Sequence, residues 1–208
     1  MANNRIEKKN QTRRQILDAA LELSAERGFS SLSLRQVAQQ AGIAPTTFYR
    51  HFADMDDLGL ALVDEVGASL RQLVRQARRR VDEAGGRNVI ATSIETFMEF
   101  VEANANLFRL LLGEGAGSTA AFRRSVSKEV RRFTDDLAED LVREAEASGR
   151  AIAHVELAAE AMVTVAFNLG AGSIDFSPEE RRTVRDRIVI EVRMIMRGAQ
   201  AQAQAGDP

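Results

Sequence analysis

The sequence predicts an all-α fold of nine helices and no strand, and three features predict it. Apolar residues recur three and four apart through the long segments, as in Leu58, Leu62, Val66, Leu70, Leu73 and Ala77. Helix-start signals stand at Ser33 with Gln36, at Pro45, and at Ser177 with Pro178 and Glu180. Glycines close the periodic segments at Gly28, Gly42, Gly149 and Gly198.

The elements follow in order. A first helix runs from about Thr12 to Arg27, with Ile16, Ala19, Ala20 and Leu23 inward, Gly28 at its end and Phe29 tucked beneath. Ser33 and Gln36 form a capping box for a second helix that stops at Gly42. Pro45 opens a third, where its missing N–H would be unpaired in any case. Asp54 caps a long fourth helix that reaches the basic end Arg78–Arg80. The loop Glu83–Arg87 contains Gly85 and Gly86. Asn88 caps a fifth helix to about Ala103, and Leu107–Leu112 form a short sixth.

Gly113–Gly117 is a flexible connection, and Ser118 caps a seventh helix carrying Phe122, Val126, Val130, Phe133, Leu137 and Leu141. An apolar eighth spans roughly Val155–Ala171. The ninth runs from Ser177 to Gly198, leaving a tail, 199–208, that has nothing to bury and is expected to be disordered.

At 208 residues the chain can hold a small head and a larger domain with its own core. The expected boundary lies between residues 1–53 and 54–208. No apolar run approaches the roughly 20 residues that span a membrane, and Met1–Thr12 is polar and basic, unlike a signal peptide. The absence of cysteine excludes disulfides, thiolate catalysis and Cys-ligated zinc, and suits a reducing cytosol. Two distant histidines argue against a metal site. The expectation is a cytoplasmic protein with no metal, no cofactor and no membrane partner.

Net charge is −2, which by itself argues against nucleic acid. Its distribution argues the other way. Residues 1–52 carry eight basic and four acidic side chains, so they stand at +4 and the remainder at −6. Within them, SLRQVAQQAGIAPTTFYRHF (Ser33–Phe52) places two short helices around a glycine turn. Phe48 and Phe52, four apart, belong to the core. Ser33, Arg35, Pro45, Thr46, Thr47, Tyr49, Arg50 and His51 are left to face solvent or DNA, offering donors to phosphates and methyls or guanidinium to base edges. This is the pattern of a helix-turn-helix; a helical hairpin unrelated to DNA is the plain alternative. Lys8, Lys9, Arg13 and Arg14 form either a flexible basic arm along the DNA backbone or a merely solvated start.

The opening helix, this motif and the long helix after it resemble the TetR family of one-component repressors. TRRQILDAA, FMEF, NLFRLLL, TAAFR and AEAMVTVAF extend the likeness over most of the chain, toward the FabR- and DesT-like repressors of unsaturated fatty acid genes. The resemblance implies an all-helical homodimer, a palindromic operator and a C-terminal ligand pocket. For this subgroup it implies a long-chain fatty acyl thioester such as acyl-CoA as effector, with unsaturated chains strengthening DNA binding and saturated ones relaxing it. Many family members carry a phosphate-touching Lys where this chain has Met55, followed by Asp56 and Asp57. The arm cations are then the candidates to supply that charge.

The candidate pocket comprises Phe97, Met98, Phe100, Val101, Phe108, Leu111, Phe122, Arg123, Val126, Phe133, Met162, Val165, Phe167 and Asn168. Ordinary core is the default reading of each, but methionine adapts to irregular apolar shapes. As a set they suit a long neutral chain, each buried CH₂ contributing about 0.8 kcal/mol. Arg109, Arg123, Arg124 and Asn168 are polar-anchor candidates by chemistry alone. The candidate dimer interface joins Ala158 and Ala161 of the eighth helix to Val184, Ile188, Val192, Ile195 and Met196 of the ninth, with packing inside one chain as the alternative.

Acidic rows at Glu95–Glu99–Glu102 and Asp135–Asp140 read as wet helix faces, not catalytic sites. GEGAGST (Gly113–Thr119) follows a helix and lacks the Walker lysine, so it reads as a hinge. Two rival functions remain: a TetR-type repressor of an efflux gene induced by miscellaneous hydrophobic compounds, and a helical lipid carrier that binds no DNA.

Overall fold

The computed structural model describes residues 2–113 and 120–206, and says nothing of the side chains of residues 2–5, 112 and 113. Among the described residues there are nine α-helices and no strand: α1 Ala2–Arg27, α2 Leu34–Gln40, α3 Pro45–Phe48, α4 Met55–Glu83, α5 Val89–Ala103, α6 Ala105–Gly113, α7 Ala120–Ser148, α8 Val155–Gly172 and α9 Pro178–Ala205. A 3₁₀ turn, Phe29–Ser31, follows α1. The hinge expected at Gly113–Thr119 and the Ser118 cap lie outside the described residues, apart from the helical end of α6.

The start signals act as the sequence predicts. The Ser33 hydroxyl accepts from Gln36 N–H, and the Gln36 carboxamide accepts from Ser33 N–H at 2.8 Å. Ser177 and Glu180 make the same reciprocal pair behind Pro178. At α4, Asp54 Oδ1 accepts from Asp57 N–H at 2.8 Å while Asp57 Oδ2 accepts from Ala53 N–H at 2.9 Å. Each arrangement satisfies two N–H groups that no helix turn can reach. Asn88 departs from expectation: it occupies the cap position of α5 with φ 54°, yet its side chain makes no capping hydrogen bond.

Both chain ends are more helical than predicted. The basic segment expected as a loose arm continues α1 back to Ala2. Once a packed helix is nucleated, adding a turn needs no new nucleus. At the other end α9 passes through Gly198 to Ala205 and closes on Gly206 at φ 72°. Ala199 is buried and its carbonyl accepts from Ala153 N–H at 3.0 Å, so the stretch expected to be a disordered tail has a packing partner.

The chain forms two compact units. The first comprises residues 1–67 and 106–129, the second 68–105 and 130–208. The core of the first unit is built on Ile16, Ala20, Val37, Phe48, Phe52, Leu58 and Phe108, all at or below 1% exposure. The core of the second unites α5, α8 and α9, with Ile188 and Ala159 fully enclosed. Helix α8 is apolar and 18 residues long, enough by length to cross a membrane, at a mean hydropathy of 1.2. Eight of its residues are buried against protein, including Met162, Val163 and Phe167, which accounts for its apolarity as a core helix.

Candidate nucleic-acid interface

The helix-turn-helix is α2, the turn at Gly42 and α3. Gly42 has φ 66°, a backbone that a side chain would strain, and Ile43 N–H returns to Ala38 O at 3.0 Å. Helix α3 is shorter than expected: regular helix ends at Phe48, and residues 49–51 continue in tight turns through Arg50 N–H to Thr47 O and His51 N–H to Phe48 O. Phe48 and Phe52 meet at 5.6 Å between centroids, anchoring the segment to the core. What remains outward is Pro45, Thr46, Tyr49 and Arg50, all exposed, with Thr47 and His51 half-buried. Tyr49 stands 62% exposed while its ring touches Phe48 edge-on, so an aromatic hydroxyl is held out to solvent.

Around this surface lie Arg35 at the start of α2 and Lys8, Lys9 and Arg14 on α1, all exposed. Arg14 is loosely paired with Asp18 at 3.6 Å and Glu65 at 3.7 Å. Exposed pairs of this length are worth little and yield readily to phosphate. Ser33 is committed to its cap. Arg13, predicted among the arm cations, also makes contacts inside the head. It is half-buried, its Nη1 donates to His51 O at 3.1 Å, and its guanidinium lies 4.3 Å from the centre of the Phe52 ring. His51 itself has one ring nitrogen, Nδ1, shut off from solvent with no hydrogen-bond partner. Burial first, and then the charges of Lys9, Arg13 and Arg50, lower its pKa below the ordinary 6.5.

The predicted pocket residues divide between the two units. Phe108, Leu111, Phe122, Arg123 and Val126 fall in the first, where Phe122 stacks on Phe29 and Arg123 is exposed. Phe97, Met98, Phe100, Val101, Phe133, Met162, Val165, Phe167 and Asn168 fall in the second. There Phe167 stacks on Phe97 at 5.6 Å between centroids and meets Phe133 at 5.3 Å with the rings tilted by 41°. Phe97 presses so closely on Gly170 that a β-carbon would stand 2.5 Å from its Cε1. Asn168 is corrected: it is exposed, and its amide donates to Thr164 O in its own helix at 2.8 Å.

A cavity of about 450 Å³ in the first unit was not foreseen. Polar groups dominate its lining: Glu22, Glu26 and Arg27 of α1, Gln40 of α2, Asn106 and Arg109 of α6. Gln40 donates to Glu22 and Arg109 to Asn106, both at 3.0 Å. No sequence spacing links these residues, which three separate helices bring together.

Of the predicted dimer set, Ala158, Ile188 and Val192 are buried within their own chain, as are the neighbouring Ala159 and Val189, while Ala161, Val184, Ile195 and Met196 are half-buried. The apolar side chains that α8 and α9 leave exposed are Leu157, Ile190 and Met194, with exposures of 57–66%.

Comparison with known proteins agrees with this geometry. Residues 16–62 match the description "Bacterial regulatory proteins, tetR family", and residues 87–198 match "Tetracyclin repressor-like, C-terminal domain". Salmonella enterica GusR has the same fold at TM-score 0.72 and 19% identity, over 90% of this chain and 96% of its own. The fatty acid degradation regulator FadR from Bacillus halodurans superposes at 0.71 with 18% identity, over 89% and 94%. FadR from Bacillus subtilis, solved in complex with stearoyl-CoA, does so at 0.70 with 18% identity, over 88% and 97%. With a helix-turn-helix carrying an exposed Tyr49 and Arg50, and with both domains matched across most of its length, the chain belongs to the TetR family of DNA-binding transcriptional regulators.

Proposed function

We propose that this regulator represses genes of fatty acid metabolism, those for unsaturated chain synthesis or desaturation foremost, and responds to long-chain acyl thioesters. The observation that carries the reading is the aromatic cluster of the second unit. Phe97, Phe133 and Phe167 with Met98 and Met162 form an apolar, uncharged assembly of side chains able to re-pack around a flexible chain. The stearoyl-CoA bound by Bacillus subtilis FadR, a protein of the same fold, supports the chemistry. The subgroup resemblance of FMEF and AEAMVTVAF supports it further.

A ligand that prefers one DNA-binding state by about 2.7 kcal/mol changes operator affinity about 100-fold. The test is a gel-shift titration on a palindromic duplex selected by the protein from a random library, with oleoyl-CoA and stearoyl-CoA in parallel. Unsaturated thioester strengthening the complex and saturated thioester relaxing it is the expected result. Equal effects from the two, or a response to unrelated dyes with indifference to thioesters, would overturn it.

A further inference from the structure

His51 sits where the recognition segment turns back into the core, and its surroundings restrict what it can offer to DNA. Its Nδ1 is closed off from solvent and faces no acceptor. A proton on that nitrogen would be a buried donor with no acceptor, at a cost of roughly 1–3 kcal/mol, and proteins leave buried N–H groups unpaired more rarely than acceptors. The residue is half-buried and Nδ1 is its shut-off ring nitrogen, so Nε2 is the nitrogen left for an outside partner. Three cations face it, Lys9 and Arg13 from α1 and Arg50 from its own turn, and each opposes a positive ring.

Arg13 fixes this pose. Its Nη1 donates to the His51 carbonyl at 3.1 Å while its guanidinium carbon stands 4.3 Å over the ring of Phe52, the next residue, so His51 is tied to α1 through its own carbonyl and its neighbour's ring.

We infer that Arg13 and Phe52 hold His51 as a neutral imidazole in a single tautomer, presenting Nε2–H as an uncharged donor to a DNA phosphate. This deepens the DNA-binding assignment and rests on it. The contact would contribute direction without charge, set among cations that contribute charge. Arg13 is then a positioning residue that acts through His51.

The chain has two histidines, so comparison with His51→Ala assigns the His51 resonances directly. In long-range ¹H–¹⁵N NMR of the full-length protein at pH 7.5, His51 is expected to carry its proton on Nε2 and none on Nδ1. The same is expected when the protein is bound to a duplex selected from a random library. A proton on Nδ1, or on both ring nitrogens, would overturn the inference without touching the DNA-binding reading.

On the selected duplex, His51→Ala should weaken binding about tenfold, the worth of one hydrogen bond. Gln, whose amide nitrogen reaches the Nε2 position, should recover most of that, and Asn, which reaches only Nδ1, should not. Equal recovery by both, or by neither, would sink the tautomer. The slope of log affinity against log salt should be the same for His51→Gln and the parent; a shallower slope would mark His51 as a cation. Arg13→Lys should let the His51 ring exchange between its two tautomers, and an unchanged His51 spectrum would refute the clamp.

Discussion

Phe29 and Phe122 lie ring on ring, with centroids 5.4 Å apart and planes 10° from parallel. They come from residues 93 apart in sequence, one just after α1 and the other in the first turn of α7, and both belong to the unit that carries the helix-turn-helix. The stack exists because Gly59 of α4 has no side chain. A β-carbon there would stand 2.9 Å from Phe29 Cε1 and 3.2 Å from Phe122 Cδ2.

Gly59→Val should therefore force the two rings apart and cost about 1–3 kcal/mol as an overpacked core. Chemical denaturation measures this. A companion Phe122→Leu in the Gly59→Val background should regain part of the loss, and no recovery would mean that the collision lies elsewhere.

Gly170→Ala meets Phe97 at 2.5 Å and should disturb the Phe97–Phe167 stack. The expected outcome is a shifted acyl-CoA dose response with operator affinity in the absence of ligand changed less than threefold, as read by gel shift. Uniform loss of both would show a folding defect instead.

On α9 adjacent residues have opposite fates. Ile188 is fully buried, so Ile188→Ala should destabilise the fold by roughly 2–5 kcal/mol. Ile190 and Met194 are exposed, so Ile190→Glu with Met194→Glu should leave helicity intact and shift the homodimer toward monomer in sedimentation. Retention of the dimer would place its interface on other residues.

The Ser177–Glu180 box predicts an acid-sensitive start to α9. Hydrogen bonds from Ser177, side chain first and backbone second, lower the pKa of Glu180 below the ordinary 4.5. A depressed carboxylate stabilises above its unfolded pKa and loses that stability as pH falls through the folded one. Glu180→Gln should thus flatten the decline in stability below about pH 4.5. Ser177→Ala should cost roughly 1 kcal/mol at neutral pH. Thermal melts at pH 7 and pH 3.5 separate the two effects.

Much of this was legible because local chemistry decides it. Ser33, Gly42, Pro45 and Ser177 mark helix limits by hydrogen bonds and backbone angles that need no distant partner. Phe48 and Phe52 show their burial through spacing alone. Other features depend on what the rest of the chain does. Nothing in Arg13 distinguishes a phosphate ligand from a clamp on a carbonyl 38 residues away. Helix α9 has apolar residues on two sides, and periodicity cannot say which side meets its own chain; Ile188 and Val192 turn inward, Ile190 and Met194 outward. Ala199 looked like a tail because alanine and glutamine show no stripe, and only Ala153 reveals its role. The polar cavity at Glu22, Gln40 and Arg109 is assembled from three helices and has no signature in any one of them.

The crossed carboxylates at the head of α4 have a consequence for how a duplex arrives. Asp54 and Asp57 are engaged in backbone hydrogen bonds, and Asp56 beside them is exposed, so this corner of the head stays negative. Lys8, Lys9, Arg35 and Arg50 make the remainder positive. An approaching polyanion feels a torque as well as an attraction, and at low ionic strength it is swung into place before any base is touched.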